Sequence, residues 1–102
     1  ENAVFMEFLR RGYKKDEIFY WKGTNNKEVD FILKQKGKLE IFQVCLDVSR
    51  PQTKDREVKA LLSALEELNL QTGTVLTSDY KREERFGDKS INFISLEDWL
   101  LK

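Results

Sequence analysis

The chain has 102 residues, with 18 basic and 18 acidic side chains that cancel, 40% apolar residues, one cysteine and no histidine. That length suits one domain with one core, and the missing histidine removes Ser-His-Asp and Cys-His catalysis and imidazole ligation of zinc or haem. The single cysteine permits no internal disulfide or thiolate cluster, and the balanced charge withholds the basic excess of a dedicated nucleic-acid binder.

Val4, Phe5, Phe8 and Leu9 recur at helical spacing behind Asn2, an N-cap residue type, and Gly12 reads as a stop, so a helix is expected over 2–11. The chain opens at Glu1 inside that helix without an initiator methionine, so a segment of a longer protein is expected. Residues 18–22 (IFYWK) are aromatic and β-branched and run into Gly-Thr-Asn-Asn, which predicts a short strand and a turn. Residues 27–34 and 38–48 are the two strongest strand candidates, joined by Lys36-Gly37 as a two-residue hairpin loop. Setting Gln35 opposite Lys38 places Phe31 opposite Phe42, Asp30 opposite Gln43, Val29 opposite Val44 and Glu28 opposite Cys45. Alternation then gives an apolar face of Val29, Phe31, Leu33, Phe42, Val44, Leu46 and Val48. The other face carries Glu28, Asp30, Gln43, Cys45 and Asp47, with Ile32 and Ile41 between them.

After Ser49-Arg50-Pro51, the spacing of Val58, Leu61, Leu62, Leu65 and Leu68 predicts the longest helix over 53–70. A buried strand follows at 74–77, then a hairpin of 83–86 with 89–94 around Gly87-Asp88, then a helical turn over 96–101 whose Trp99 caps the core. The whole of 1–102 reads as one α/β domain without repeats or linkers. No apolar run reaches the roughly 20 residues of a membrane span. A small domain without disulfides is most simply cytoplasmic.

The polar strand face has two readings. An antiparallel sheet commonly leaves one face wet. Alternatively Asp30, a second oxygen donor on the adjacent strand and Glu7 from the first helix form a hard-cation site, since Mg²⁺ takes carboxylate, water and phosphate oxygens in an octahedron. Asp47, one repeat further along that face, offers another carboxylate, whereas Glu40 lies on the opposite face. Lys54 and Lys59 on the long helix are within conceivable reach. Cys45 reads as a small packed residue, and Thr53 with Arg56-Glu57 as either a phosphate site or a cap with a surface ion pair. Tyr20-Trp21 read as core, and Arg10, Arg11, Lys14 and Lys15 as a solvated helix end.

The run of LRRGY at 9–13, IFYWK at 18–22, KEVDF at 27–31, FQVC at 42–45, Thr53 with REVKALLSAL at 56–65 and WLL at 99–101 resembles the C-terminal domain that follows the ATPase core in a family of archaeal and bacterial AAA+ ATPases. The resemblance covers nearly the whole chain. It implies a restriction-endonuclease-like (PD-(D/E)XK) core of helix, three antiparallel strands, helix and strand, with an added hairpin and short helix. In active members of that superfamily a helix-one Glu, an Asp on the second strand and an Asp/Glu-x-Lys on the third bind Mg²⁺ and activate water. Glu7 and Asp30 match; Gln43-Val44-Cys45 stands where Glu-x-Lys belongs. A neutral amide replaces a carboxylate, and a thiol replaces the ammonium that would stabilise the transition state.

The expectation is therefore an accessory module with a degenerate, non-cleaving nuclease site at Glu7, Asp30 and Gln43, its residual metal ligands being Asp30, Glu7 and Asp47. Its partners would be the upstream ATPase domain of the same chain, DNA or a second copy. The competing expectations are an active Mg²⁺-dependent nuclease and a purely structural oligomerisation domain.

Overall fold

The computed structural model of the chain describes residues 2–25 and 27–102. Its elements are α1 (Asn2–Arg10), a 3-10 turn (Lys15–Glu17), β1 (Ile18–Lys22), β2 (Glu28–Gln35), β3 (Lys38–Val44), α2 (Pro51–Leu68), β4 (Thr72–Thr77), β5 (Arg82–Phe86), β6 (Lys89–Ser95) and α3 (Leu96–Leu100). Each expected helix and strand is present with shifted ends. Glu1, where the chain opens, and the place of Asn26 in the expected turn lie outside the described residues.

The strands form one six-stranded mixed sheet in the order β1-β2-β3-β4-β6-β5. β1, β2 and β3 pair antiparallel, β4 runs parallel to β3 and β6, and β5 pairs antiparallel with β6. A parallel neighbour needs a long crossover, and α2 supplies it between β3 and β4. The helix starts two residues earlier than its apolar spacing suggests. Proline at its first turn, with Arg50 as the cap, lacks only an N–H that would have had no helical partner. Asn69, at φ 58, ends it in the left-handed conformation.

Lys36 and Gly37 form the β2–β3 loop with φ of 54 and 79, both positive, as a type I′ turn demands. That turn sets the expected register from Gln35↔Lys38 to Phe31↔Phe42. Beyond Phe31 the expected pairs do not form, and β3 ends at Val44 instead of residue 48. The cause lies on the other side of β2. Phe19 pairs with Ile32 and Trp21 with Val29, so Asp30 and Phe31 together oppose Tyr20. This bulge resets the side-chain alternation and turns the start of β2 away from β3.

The reset overturns the expected division into one apolar and one polar face. Val29 joins Ile32, Ile41, Val75, Ile91 and Phe93 under α2, where Val58, Leu61, Ala64 and Leu65 cover them. Phe31, Leu33, Phe42 and Leu76 face the opposite way, against Val4 and Phe8 of α1 and Trp99 of α3. Phe8 packs edge-on against Phe31, Phe42 and Trp99 with ring centroids 5.2, 5.2 and 5.3 Å away. The sheet is thus covered on both sides of its centre. Leu46, expected in the core, is exposed, and of Tyr20-Trp21 only the tryptophan is buried.

Trp21 also fixes the β1–β2 connection to α2: its Nε1 donates to Glu67 Oε2 at 3.0 Å. Gly23 lies against the ring, where an added Cβ would sit 2.3 Å from Trp21 Cη2. Gly23→Ala must therefore displace a buried indole and strain its bond to Glu67. The expected result is a loss of about 1–3 kcal/mol in urea unfolding, with Gly37→Asn close to neutral as the comparison.

Candidate functional site

Where β2 and β3 part, main-chain donors and acceptors lose their ladder partners and need others. Two side chains provide them. Gln43, only 2% exposed, accepts from Asp30 N at 2.9 Å through Oε1 and donates Nε2 to Glu28 O at 3.0 Å. Asp30 answers from the other strand, its Oδ2 accepting from Val44 N at 2.9 Å. Each side chain completes the opposite backbone. Val44 meanwhile pairs with Leu76 of β4, and Cys45 N donates to Leu76 O at 2.9 Å, so β3 follows β4 past the point where β2 leaves it.

The parting opens a groove of about 670 Å³ between the start of β2, the end of β3 and the first turns of α2. Asp30, Gln43 and Val44 lie at one wall and Gln52, Asp55, Arg56, Glu57 and Lys59 at the other, with Asn25, Lys27 and Glu28 at the rim. Both signs of charge occur, and most are already engaged. Lys59 pairs with Asp55 at 2.9 Å and Arg56 with Glu57 at 3.7 Å, while Lys27 Nζ bonds Ser63 Oγ at 3.2 Å. Tyr20 OH donates to Glu28.

The other expected site residues are placed elsewhere or tied down. Glu7 is 9% exposed and is clamped by two arginines: Arg10 Nε at 2.9 Å to Oε1, and Arg11 Nε at 2.7 Å to Oε2. The hydrogen bonds from Arg10 and then Arg11, which outweigh burial, lower its pKa from 4.5 to about 2. Arg11 continues to Trp99 O and lies 4.2 Å from the centre of that indole, so the cluster links α1 to α3. Asp47 accepts from both Ser49 N and Ser49 Oγ, which holds its carboxyl below the usual range. Among the described residues no three His, Cys, Asp or Glu side chains gather to hold a metal, and Glu7, Asp30 and Asp47 form no such group. Arginines bond both oxygens of Glu7 and Ser49 bonds Oδ1 of Asp47, so these carboxylates as placed do not converge on an octahedral Mg²⁺.

Cys45 is half-buried against the α2 core, and burial pushes its thiol up, away from the thiolate. Thr53 lies inside α2 and is not its cap, and Arg56-Glu57 form an ion pair. Lys54 points to the far side of α2, where Nζ bonds Glu84 Oε2 at 2.7 Å and Tyr80 OH at 3.2 Å. Burial raises the Glu84 carboxyl, but the bonds from Lys54 and Tyr80 prevail and keep it low. Glu40 lies away from the groove, as expected, and accepts from Tyr13 OH at 3.0 Å. The groove residues Asn25, Lys27 and Gln52 had no pattern in the sequence to single them out; only the departure of β2 brings them to one place.

Residues 1–99 match the family described as "Domain of unknown function (DUF4143)", and the chain belongs to it. It is also 35% identical over 83 residues to the uncharacterized protein MJ1544 of Methanocaldococcus jannaschii. That alignment covers 81% of this chain and 18% of the relative, so the chain spans about a fifth of the curated relative it matches. No solved structure matches.

Two outcomes follow from these bonds. Gln43→Glu keeps the acceptor but sets a carboxylate against Glu28 O, which should cost about 1–3 kcal/mol at neutral pH. The cost should shrink as the pH falls and the new carboxyl regains a proton to donate; urea unfolding at two pH values reads both. Glu7, with its folded pKa depressed, contributes stability above 4.5 that is lost as the pH falls toward about 2. Its carboxyl carbon should titrate near 2 by NMR, and Glu7→Gln should remove that portion of the acid dependence.

Proposed function

We propose that this chain is a nuclease-like module of the PD-(D/E)XK type that keeps the fold without the chemistry. It serves as the C-terminal part of an AAA+ ATPase and acts by contact: with the ATPase domain of its own chain, with DNA or with a second copy. The element order supports this reading, since a helix, three antiparallel strands, a crossover helix and a parallel strand are the parts the resemblance implies. The much greater length of the M. jannaschii relative leaves room for another domain beside such a module.

The observation that carries the loss of chemistry is the carboxamide of Gln43. At that position a nuclease needs an acid that turns outward to a metal, whereas this side chain spends one acceptor and one donor on the main chain of β2. A carboxylate has no proton for Glu28 O, so the amide is required by the framework and is more than a weakened ligand. The ammonium is missing as well. Cys45 packs toward α2, Lys54 is held at Glu84 and Lys59 at Asp55, so none is poised over Asp30 to meet a developing negative charge.

The chain should therefore leave supercoiled plasmid, linear duplex and single-stranded DNA intact with Mg²⁺ or Mn²⁺ on prolonged incubation. Titration with Mn²⁺ should broaden no NMR signals selectively at Glu7, Asp30 and Gln43. Metal-dependent nicking that disappears in Asp30→Ala would overturn the reading and install an active nuclease in its place.

A further inference from the structure

The β2–β3 hairpin carries lysines at 34, 36 and 38, and the fold brings Lys14 and Lys15 to the same end of the sheet. Three observations fix this juxtaposition. Gln35 Nε2 donates to Glu17 Oε1 at 3.4 Å, Ile18 pairs with Leu33, and Tyr13 lines one hollow with Lys36 and Lys38. All five lysines are exposed. Among the described residues none of them has a carboxylate within ion-pair distance, whereas Lys54, Lys59, Lys81 and Lys89 each have one. Asp16, Glu17 and Glu40 lie at the same end and keep their charge, since among the described residues Glu17 accepts only from Lys14 N and Gln35 and Glu40 only from Tyr13 OH, so the end carries five cations against three anions.

Lys36 adds a second, independent sign. Its φ of 54 lies in the left-handed region, where glycine or asparagine would hold the same turn at lower cost. A long cation at a strained position between two other lysines is an outlier that a role for its charge would explain.

We propose that this lysine-tipped end binds the phosphate backbone of duplex nucleic acid, without reading its bases, at a place distinct from the groove; the inference deepens the DNA contact of the proposed function and does not require the nuclease-like fold. Five ammonium groups without ion-pair partners on the hairpin and its neighbouring turn suit a line of phosphates, which rewards point charges that displace counterions. An anionic membrane is the weaker fit. None of the chain's most exposed large apolar side chains, Met6, Phe19, Tyr20, Leu46 and Leu101, lies in the patch to insert between lipids.

The test is fluorescence anisotropy of a labelled DNA duplex with the 102-residue chain over a range of salt. Binding should weaken linearly in log[salt], and Lys36→Glu with Lys38→Glu should flatten that slope by about 2, near 0.9 for each phosphate left without its lysine. Lys36→Gly separates charge from folding: it should raise the melting temperature by relieving the turn, yet still flatten the slope by about 1. Lys81→Gln, away from the patch, should leave the slope unchanged. No binding by the wild-type chain, full binding by either Lys36 variant, loss instead in the groove variant Lys59→Glu, or capture by phosphatidylserine vesicles in place of duplex would each overturn the proposal.

Discussion

The parting of β2 from β3 at Asp30 and Gln43 is the constraint on which the rest of the molecule turns. The bulge opposite Tyr20 gives β2 one residue too many to stay in register with both neighbours, so it must leave one of them. Leaving would strand Glu28 O, Asp30 N and Val44 N in or beside a core, at a cost of about 1–3 kcal/mol for each unsatisfied group. Gln43 and Asp30 have the reach and the donor-acceptor pattern to cover all three. With the gap sealed, β3 is free to run beside β4, α2 can cross over that pairing, and the wedge left between them becomes the groove.

The same logic explains the fate of the other acids. A buried carboxylate is costly unless paired, and Glu7 is paired twice, by arginines one turn along its own helix. Through Arg11 and Trp99 it also ties α1 to α3, so a residue that the resemblance assigns to metal chemistry works here as a fastener between two helices. Lys54 does the equivalent on the other side of the sheet. It joins α2 to Glu84 and Tyr80 and sits over the rings of Tyr80 and Phe93. Residues that could have formed one reactive centre are instead distributed to the joints of the fold.

Much of this was legible in the sequence where the signal is local. Lys36-Gly37 set the hairpin and its register, Gly12 ended α1, and the spacing from Val58 to Leu68 located α2. Alternation failed where it was extended through a bulge, since one inserted residue moved Val29 and Phe31 to opposite sides and turned an expected wet face into a second core. The bulge has no composition of its own: EVDF reads as four regular strand residues, and only the competing pairings of β1 and β3 reveal the extra one. Asp30 and Gln43 were legible as a pair of polar residues facing each other, but their bonds to the main chain were not, because strand pairing predicts which residues meet and says nothing of how far a side chain reaches. Arg10 stays exposed, as a solvated helix end should, whereas Arg11 is drawn in against Trp99, and that contact depends on a residue at the far end of the chain.

Net charge is a blunt guide for a similar reason. A total of zero argues against a polyanion partner only if all charges are felt at once, and in salt they are not. At physiological ionic strength screening sets in over about 8 Å, while the molecule measures 34 by 28 by 24 Å. A phosphate approaching the β2–β3 hairpin therefore meets Lys34, Lys36, Lys38, Lys14 and Lys15 against only Asp16, Glu17 and Glu40, a local excess of two positive charges, before it meets Glu66, Glu83 or Asp88. Ion pairing sharpens the contrast, because the acids paired with Lys54, Lys59 and Lys81 neutralise those cations and are not available to the hairpin lysines. The relevant quantity for such a chain is the charge left over within one screening length after local pairs are removed, and only the folded arrangement defines it.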